Sequence, residues 1–300
     1  MFLFQALKVE YTSYNANSFS YIYNYNHNLM QPEIKIAPPK TISFDLAELW
    51  KNRELLYFFT WRDVKVKYKQ TYLGILWVVL QPLLLMLLFY LVFFKTLNIR
   101  VGVAYPVYSF AGLILWSLFS TGITHSSESL LSSSQVIRKI YFPRLIIPLS
   151  SLLTAMIDFV IAFGLLFILL IVFRQPIGWN AFFCFPIAVI MTFTSSFGIG
   201  SLLAALNVKY RDFRYLLPFC IQLLFFSSQI VYSIHALRGP FSLLLYCNPL
   251  NGALEIFYYP LQRQDLNVTG ILISAAVTFV FFLSGLIYFK KTEVYFADLI

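Results

Sequence analysis

The sequence predicts an all-α integral membrane protein with six transmembrane helices, and three observations carry that reading. Charged residues make up 12% of the 300 residues and hydrophobic ones 59%, with a mean hydropathy of +0.74. Soluble domains carry about 25% charged residues, so a water-soluble fold would lack the charges to cover its surface, and lipid must solvate much of the chain. Second, six segments holding no charge or one reach about 20 residues or more, the length that crosses a hydrocarbon core of about 30 Å as a helix. Third, the alternating segments of about ten residues that a β-barrel needs are absent, and in lipid a helix satisfies its own backbone. The length suits one membrane domain with little left for a separate soluble one.

Residues 1–42 stand apart from that domain. Residues 11–28 form a Tyr/Asn-rich tract, and Pro32, Pro38 and Pro39 follow. Polar low-complexity sequence buries too little surface to fold alone, so a disordered cytoplasmic extension is expected. The opening seven residues lack a basic n-region and their apolar run is short; no secretory signal peptide is expected, and the first span drives insertion.

The membrane domain is expected over residues 43–291. Asp45-Leu-Ala-Glu48 has capping-box spacing and opens a helical pattern. Leu46, Leu49, Trp50, Leu56, Tyr57, Trp61, Val64 and Tyr68 recur on one stripe, with Lys51, Glu54, Arg62, Lys65 and Lys69 opposite. A helix aromatic on one face and basic on the other, just before a long apolar segment, is predicted to lie in the headgroup plane as an N-terminal amphipathic interfacial helix. An ordinary soluble helix is the alternative.

Spans are predicted at residues 74–94, 103–124, 147–173, 181–206, 215–235 and 267–289. Gln81-Pro82 marks a kink site in the first, and Asp158 is the one charge deep inside the third. Before the last span, two short apolar stretches, residues 241–246 and 250–261, flank Asn248-Pro249. Neither can span and both are too apolar for a solvated loop, so they read as a re-entrant or interfacial helical hairpin on the outer side, against a plain extracellular loop. Basic residues set the orientation. One set of loops holds Arg62, Lys65, Lys67, Lys69, Arg138, Lys139, Arg144, Lys209, Arg211, Arg214, Lys290 and Lys291; the other holds Lys95, Arg100, Arg174, Arg238 and Arg263. Twelve against five place both termini, including a tail at residues 292–300, in the cytoplasm.

Several function classes fall away. The net charge of +9 does not indicate nucleic acid, because the basic residues sit in short clusters beside apolar segments, as topology determinants and headgroup contacts do. Cys184, Cys220 and Cys247 form no CxxC and are expected to be small buried hydrophobes. His27, His125 and His235 have no partner at metal-ligand spacing. With no Gly-rich phosphate loop and no carboxylate pair within a span, no enzyme activity is expected of this chain. Asp158 must be neutral, paired or hydrated, and it faces the bundle interior. It is either a polar contact to a substrate or cavity, or an interhelical hydrogen bond beside Ser150, Ser151 and Thr154. The segment 128–148 is Ser-rich and then basic and aromatic, broken by Pro143 and Pro148; it suits docking into a groove on a partner protein, or simple anchoring by positive charge.

That segment, Ile137-Arg-Lys-Ile-Tyr-Phe-Pro-Arg144 with Pro148, resembles the first cytoplasmic loop of type-2 ABC exporter permeases, and most closely the branch exporting O-antigen, capsule and teichoic acid polysaccharides. Tyr68-Lys-Gln-Thr-Tyr-Leu-Gly-Ile-Leu-Trp77 with Gln81-Pro82 is similar to the family's lead-in to the first span. Asn207-Val-Lys-Tyr-Arg-Asp212 is similar to its second cytoplasmic loop, and Cys247-Asn-Pro-Leu250 to its outer hairpin. The resemblance covers residues 46–291, and four blocks agree in order and spacing.

The resemblance implies a half-transporter in the bacterial cytoplasmic (inner) membrane: a homodimer of this chain pairs with two copies of a separate ATPase subunit, and ATP and Mg belong to that partner, with no cofactor or metal in this chain. Arg138, Lys139, Tyr141, Phe142, Pro143 and Arg144 would form the ATPase-coupling loop. Lys65, Lys67 and Lys69 would attract the pyrophosphate head of a lipid-linked glycan by charge, and Tyr72, Trp77 and Trp116 would stack on sugars along the path, or else belong to the interfacial aromatic belt. An ABC exporter of small molecules or lipids is the alternative. A secondary transporter is disfavoured by the single intramembrane charge and the lack of a visible repeat.

Overall fold

Apolar composition without strand patterning leaves one option, and the chain takes it. The computed structural model describes residues 46–69, 74–96, 102–210, 212–234, 241–262 and 265–296, and among these the protein is helical with no strand. The expected extension over residues 1–42 lies outside them, as does Tyr72. The helices are α1 (Leu46–Lys51), α2 (Arg53–Lys69), α3 (Gly74–Thr96), α4 (Tyr105–Ser132), α5 (Ser134–Ile137), α6 (Ile146–Val172), α7 (Ala181–Lys209), α8 (Phe213–Phe226), α9 (Phe241–Leu245), α10 (Pro249–Gln262) and α11 (Val268–Glu293). Five of them, α3, α4, α6, α7 and α11, are long and apolar enough to cross a membrane.

α4 is the central helix, with α6 and α7 packed on either side of it; α7 in turn carries α10 and α11. α4 is the least hydrophobic of the five long helices and the most buried. Its neighbours are protein rather than lipid, so Ser, Gly and Thr serve there better than large apolar groups. Where α7 meets α11 the backbones touch: a methyl on Gly285 would overlap the Gly198 carbonyl, and one on Gly198 would strike the backbone of Phe282. α3 lies outside, packed on α4 and α6, and ends in π-helical turns over Tyr90–Thr96.

The fifth predicted span, residues 215–235, is met by a shorter apolar helix. Its helix, α8, stops at Phe226 after 14 residues, a rise of about 21 Å. Ser227 and Ser228 donate their hydroxyls to the Leu224 carbonyl at 3.0 and 2.6 Å, competing with the helix backbone. Asn251 then captures the freed groups, donating to the Ser227 carbonyl (2.8 Å) and accepting from the Gln229 N–H (2.9 Å). The predicted hairpin is present as α9 and α10. Asn248 caps α10 by accepting the Leu250 N–H at 3.1 Å, and α10 is buried almost throughout, wedged among α4, α7 and α11.

α1 and α2 depart from the predicted stripe. Leu49, Leu55 and Leu56 pack inward beside the buried Phe59, whereas Trp50, Tyr57 and Trp61 are exposed, the last two rings stacked 6.5 Å apart. α2 runs along α6 rather than away from it: Phe59 meets Phe142, just before α6, and Tyr68 reaches Asp158, twelve residues into α6. Cys247 differs from its expected burial: it is exposed in the turn between α9 and α10, and Cys184 and Cys220 are half-buried. The described part of the tail turns back on the bundle, with Phe296 buried against Phe289 at 5.2 Å.

Candidate functional site

One end of the bundle gathers most of the sequence-predicted residues. There residues 138–144 separate into an anchor and a presented face. Phe142 and Pro143 are buried, with the Phe142 ring 5.5 Å from Phe59 of α2. The Arg144 backbone N–H donates to Glu293 at the end of α11 (3.0 Å), its guanidinium donates to the Glu293 carbonyl, and it lies over the Phe296 ring at 5.9 Å. Lys290 holds the same Glu293 carboxylate at 3.0 Å. Arg138, Lys139, Ile140 and Tyr141 are exposed, Tyr141 at 92%. A rigid loop thus offers two cations, an aliphatic and an aromatic side chain to whatever meets this end.

Nearby, polar side chains lock the helices that carry the loop. The buried Asn207 donates to the Ser127 carbonyl at 3.0 Å, tying α7 to α4, and the Ser126 hydroxyl donates to the Pro148 carbonyl at 2.9 Å, tying α4 to α6. Arg214 and Glu128 form a solvent-exposed pair at 3.4 Å. Arg211 lies outside the described residues.

Asp158 is paired, not free. It accepts from the Lys67 ammonium and from the Tyr68 hydroxyl, both of α2. Burial, reinforced by the hydrogen bond to Asp158 and by its charge, pushes the Tyr68 hydroxyl well above the usual range for a phenol, so it stays a donor. His125 of α4 lies within electrostatic range of the pair. Of the three lysines expected at an entrance, Lys67 is therefore committed to Asp158, while Lys65 and Lys69 are exposed. Trp77 is exposed on α3, and Trp116 packs edge-on to Phe225 at 5.1 Å and beside Phe119 at 5.8 Å.

The opposite end holds a polar wall that the sequence reading missed. Glu255 of α10 is buried and accepts from the Gln229 amide (3.2 Å), the Tyr246 hydroxyl (3.1 Å) and the Asn267 N–H (3.3 Å). Gln229 also donates to the Asn251 carbonyl at 2.9 Å, and the Tyr108 hydroxyl donates to the Gln229 carbonyl at 2.6 Å. Asn248 donates to the Leu224 carbonyl and to both Ser227 and Ser228 hydroxyls. A signal existed: Glu255 is the one carboxylate in the apolar run 250–261, and a charge placed among apolar neighbours has a reason to be there.

Comparison with known proteins accords with this layout. Residues 54–261 match the family model described as ABC-2 type transporter. The chain is 28% identical over 253 residues to an O-antigen export system permease protein RfbA of Klebsiella pneumoniae, covering 82% of this chain and 95% of that protein. An RfbA of Myxococcus xanthus, also an O-antigen export system permease protein, is 27% identical over 254 residues, covering 83% and 96%. The matched stretch runs from α2 to the end of α10 and so contains the presented loop, the Asp158 pair and most of the polar wall. A multi-pass membrane protein built in this way is a permease subunit: the chain belongs to the ABC-2 type transporter family.

Proposed function

We propose that this chain is the transmembrane subunit of an ATP-driven exporter that moves a lipid-linked polysaccharide out of the cytoplasm. The observation that carries the coupling half of this reading is the division of residues 138–144 into an exposed docking face and a buried anchor. A push on Tyr141 passes through Phe142 to α2, through Leu145 to the start of α6, and through Arg144 to the end of α11. ATP and Mg are held by the separate ATPase subunit that docks on this face. The polysaccharide half rests on the two O-antigen export relatives, which align over most of their own length. Lys65 and Lys69, exposed on α2, draw the anionic head of the substrate to the entrance.

Two copies form the working unit. α3 and α8 approach through Phe89 and Phe225 (6.1 Å) and expose Leu84, Leu88, Leu91, Leu216, Phe219 and Leu223 outward, a continuous apolar flank suited to a second copy. The docking end faces the cytoplasm, in keeping with its concentration of basic residues, which puts the polar wall at the exit. Replacing Arg138 and Tyr141 by Ala tests the assignment: co-purification of the ATPase subunit and ATP-dependent export should both fall. Unchanged association together with unchanged export would remove the coupling role.

A further inference from the structure

The α6–α7 corner holds a binding site that the transport reading does not use. α6 and α7 both pack on α4 but diverge, leaving between them a groove of about 1070 Å³. Its lining comes from Met156 to Phe167 on α6, from Ile177 to Trp179 on the connecting turn, and from Ala181 to Ile190 on α7. Phe163, Phe167, Phe182 and Phe185 supply rings, and Pro186, with no backbone N–H to give, relaxes α7 beside the gap. Val160, Phe182, Ile187 and Ile190 are open on its outer side. These helices cross the membrane, so the groove lies at hydrocarbon depth.

In the loop between α6 and the lining turn, just before Ile177, the backbone is unusual. The N–H of Gln175 donates to the Leu170 carbonyl (3.0 Å) and that of Arg174 to Ile171 (3.1 Å), the pattern of a Schellman cap closing α6. The residue required in the left-handed region of that cap is normally glycine; here it is Arg174, at φ 50°. A side chain there costs about 1 kcal/mol, so the arginine is kept at the expense of the turn. Arg174 is exposed and makes no ion pair among the described residues. The turn it begins is held firmly, with the Gly178 N–H donating to the Pro260 carbonyl of α10 at 3.2 Å, and Trp179 on it is 96% exposed. An apolar trough within the bilayer, a cation in the loop that joins its two walls and an exposed Trp on the lining turn match one kind of molecule: acyl chains below an anionic headgroup, at the level where Trp meets headgroups.

We propose that the α6–α7 groove is a resident site for an anionic glycerophospholipid, with its acyl chain along Phe163, Phe167 and Phe182 and its phosphate on Arg174. The proposal stands independently of what the transporter carries. Native mass spectrometry of the full chain, delipidated in detergent and titrated with phosphatidylglycerol or phosphatidylcholine, tests it. Wild type should retain phosphatidylglycerol at a concentration about five-fold lower than phosphatidylcholine, the difference expected when one arginine meets a headgroup of net negative charge rather than one whose phosphate is offset by choline. Arg174→Gly, which suits the cap, should abolish that preference while leaving the thermal midpoint unchanged or higher. Val160→Trp with Ile187→Trp, both at open positions, should fill the groove and reduce retention of either lipid. Failure of wild type to retain lipid, survival of the preference in Arg174→Gly, or full retention in the plugged variant would each overturn the site. Disulfide cross-linking of two chains through Ile187→Cys would overturn it as well, by showing a second copy in the groove.

Discussion

The Lys67 ammonium of α2 is paired with the Asp158 carboxylate twelve residues into α6, with the Tyr68 hydroxyl on the same carboxylate. The contact fastens the far end of α2 as Phe59 and Phe142 fasten its middle. Asp158 is mostly buried and Lys67 about one-third exposed, so the pair is worth less than a fully buried one. Asp158→Ala strands two donors and should lower stability by about 2 kcal/mol. Asp158→Asn, which keeps an acceptor for Tyr68, should lose about half of that. Thermal unfolding in detergent reads both. A double-mutant cycle of Lys67→Met with Asp158→Ala that returned no coupling would show the pair to be incidental.

The same cluster sets an alkaline limit. Because burial and Asp158 raise the Tyr68 hydroxyl above its unfolded value, its contribution is complete below about pH 10, where an unfolded tyrosine begins to ionise. That contribution is lost as pH climbs further and the folded phenol finally ionises. Tyr68→Phe should make stability less sensitive to pH above 10, measured as the slope of unfolding midpoint against pH.

Anchor and face of the loop should separate by mutation. Tyr141→Ala and Lys139→Ala should leave the thermal midpoint within about 0.5 kcal/mol of wild type, as exposed positions do, while ATPase association drops. Phe142→Ala removes a buried ring and should cost about 3 kcal/mol. If Phe142→Ala were neutral for stability, the loop would not be anchored as the contacts indicate.

The α7–α11 contact leaves no room for a side chain. Gly285→Val or Gly198→Val forces the backbones apart and should destabilise by about 3 kcal/mol. Gly164, with open space around it, is the control: Gly164→Ala should be tolerated.

Loss of the Glu255 carboxylate should loosen the polar wall. Glu255→Ala leaves the Gln229 amide and the Tyr246 hydroxyl short of an acceptor, at about 1–3 kcal/mol each. The turn after α8 should then open, and chymotrypsin cleavage at Tyr232 should accelerate over wild type at equal unfolding midpoint-adjusted temperature.

The five long apolar runs that became α3, α4, α6, α7 and α11 were legible from composition, because crossing lipid demands length and little else. The end of α8 was not. Hydropathy summed over residues 215–235 passes over Ser227, Ser228 and Gln229, whose polar bonds run to Leu224 within the helix and to Asn251 on α10. The stripe across α1 and α2 misled for a related reason. In a membrane both faces of a helix can be apolar, so periodicity found the rings of Trp50 and Trp61 without telling lipid from protein, and the buried Phe59 went unseen. Likewise Lys65, Lys67 and Lys69 read alike along the chain; only the fold brings Asp158, 91 positions away, to the middle one. The segment 138–144 stood out in the sequence by its motif, but its division into anchor and face needed the neighbours Phe59, Glu293 and Phe296.

That division has a consequence for how such a subunit changes over time. Lys139, Ile140 and Tyr141 take no part in the anchoring contacts of Phe142, Pro143 and Arg144. Residues on the presented side can therefore change without a folding penalty, and if the ATPase docks there as proposed, duplicated pairs could become mutually deaf by altering three or four side chains. Swapping those positions between related permeases should move partner choice along with them and leave the membrane bundle untouched.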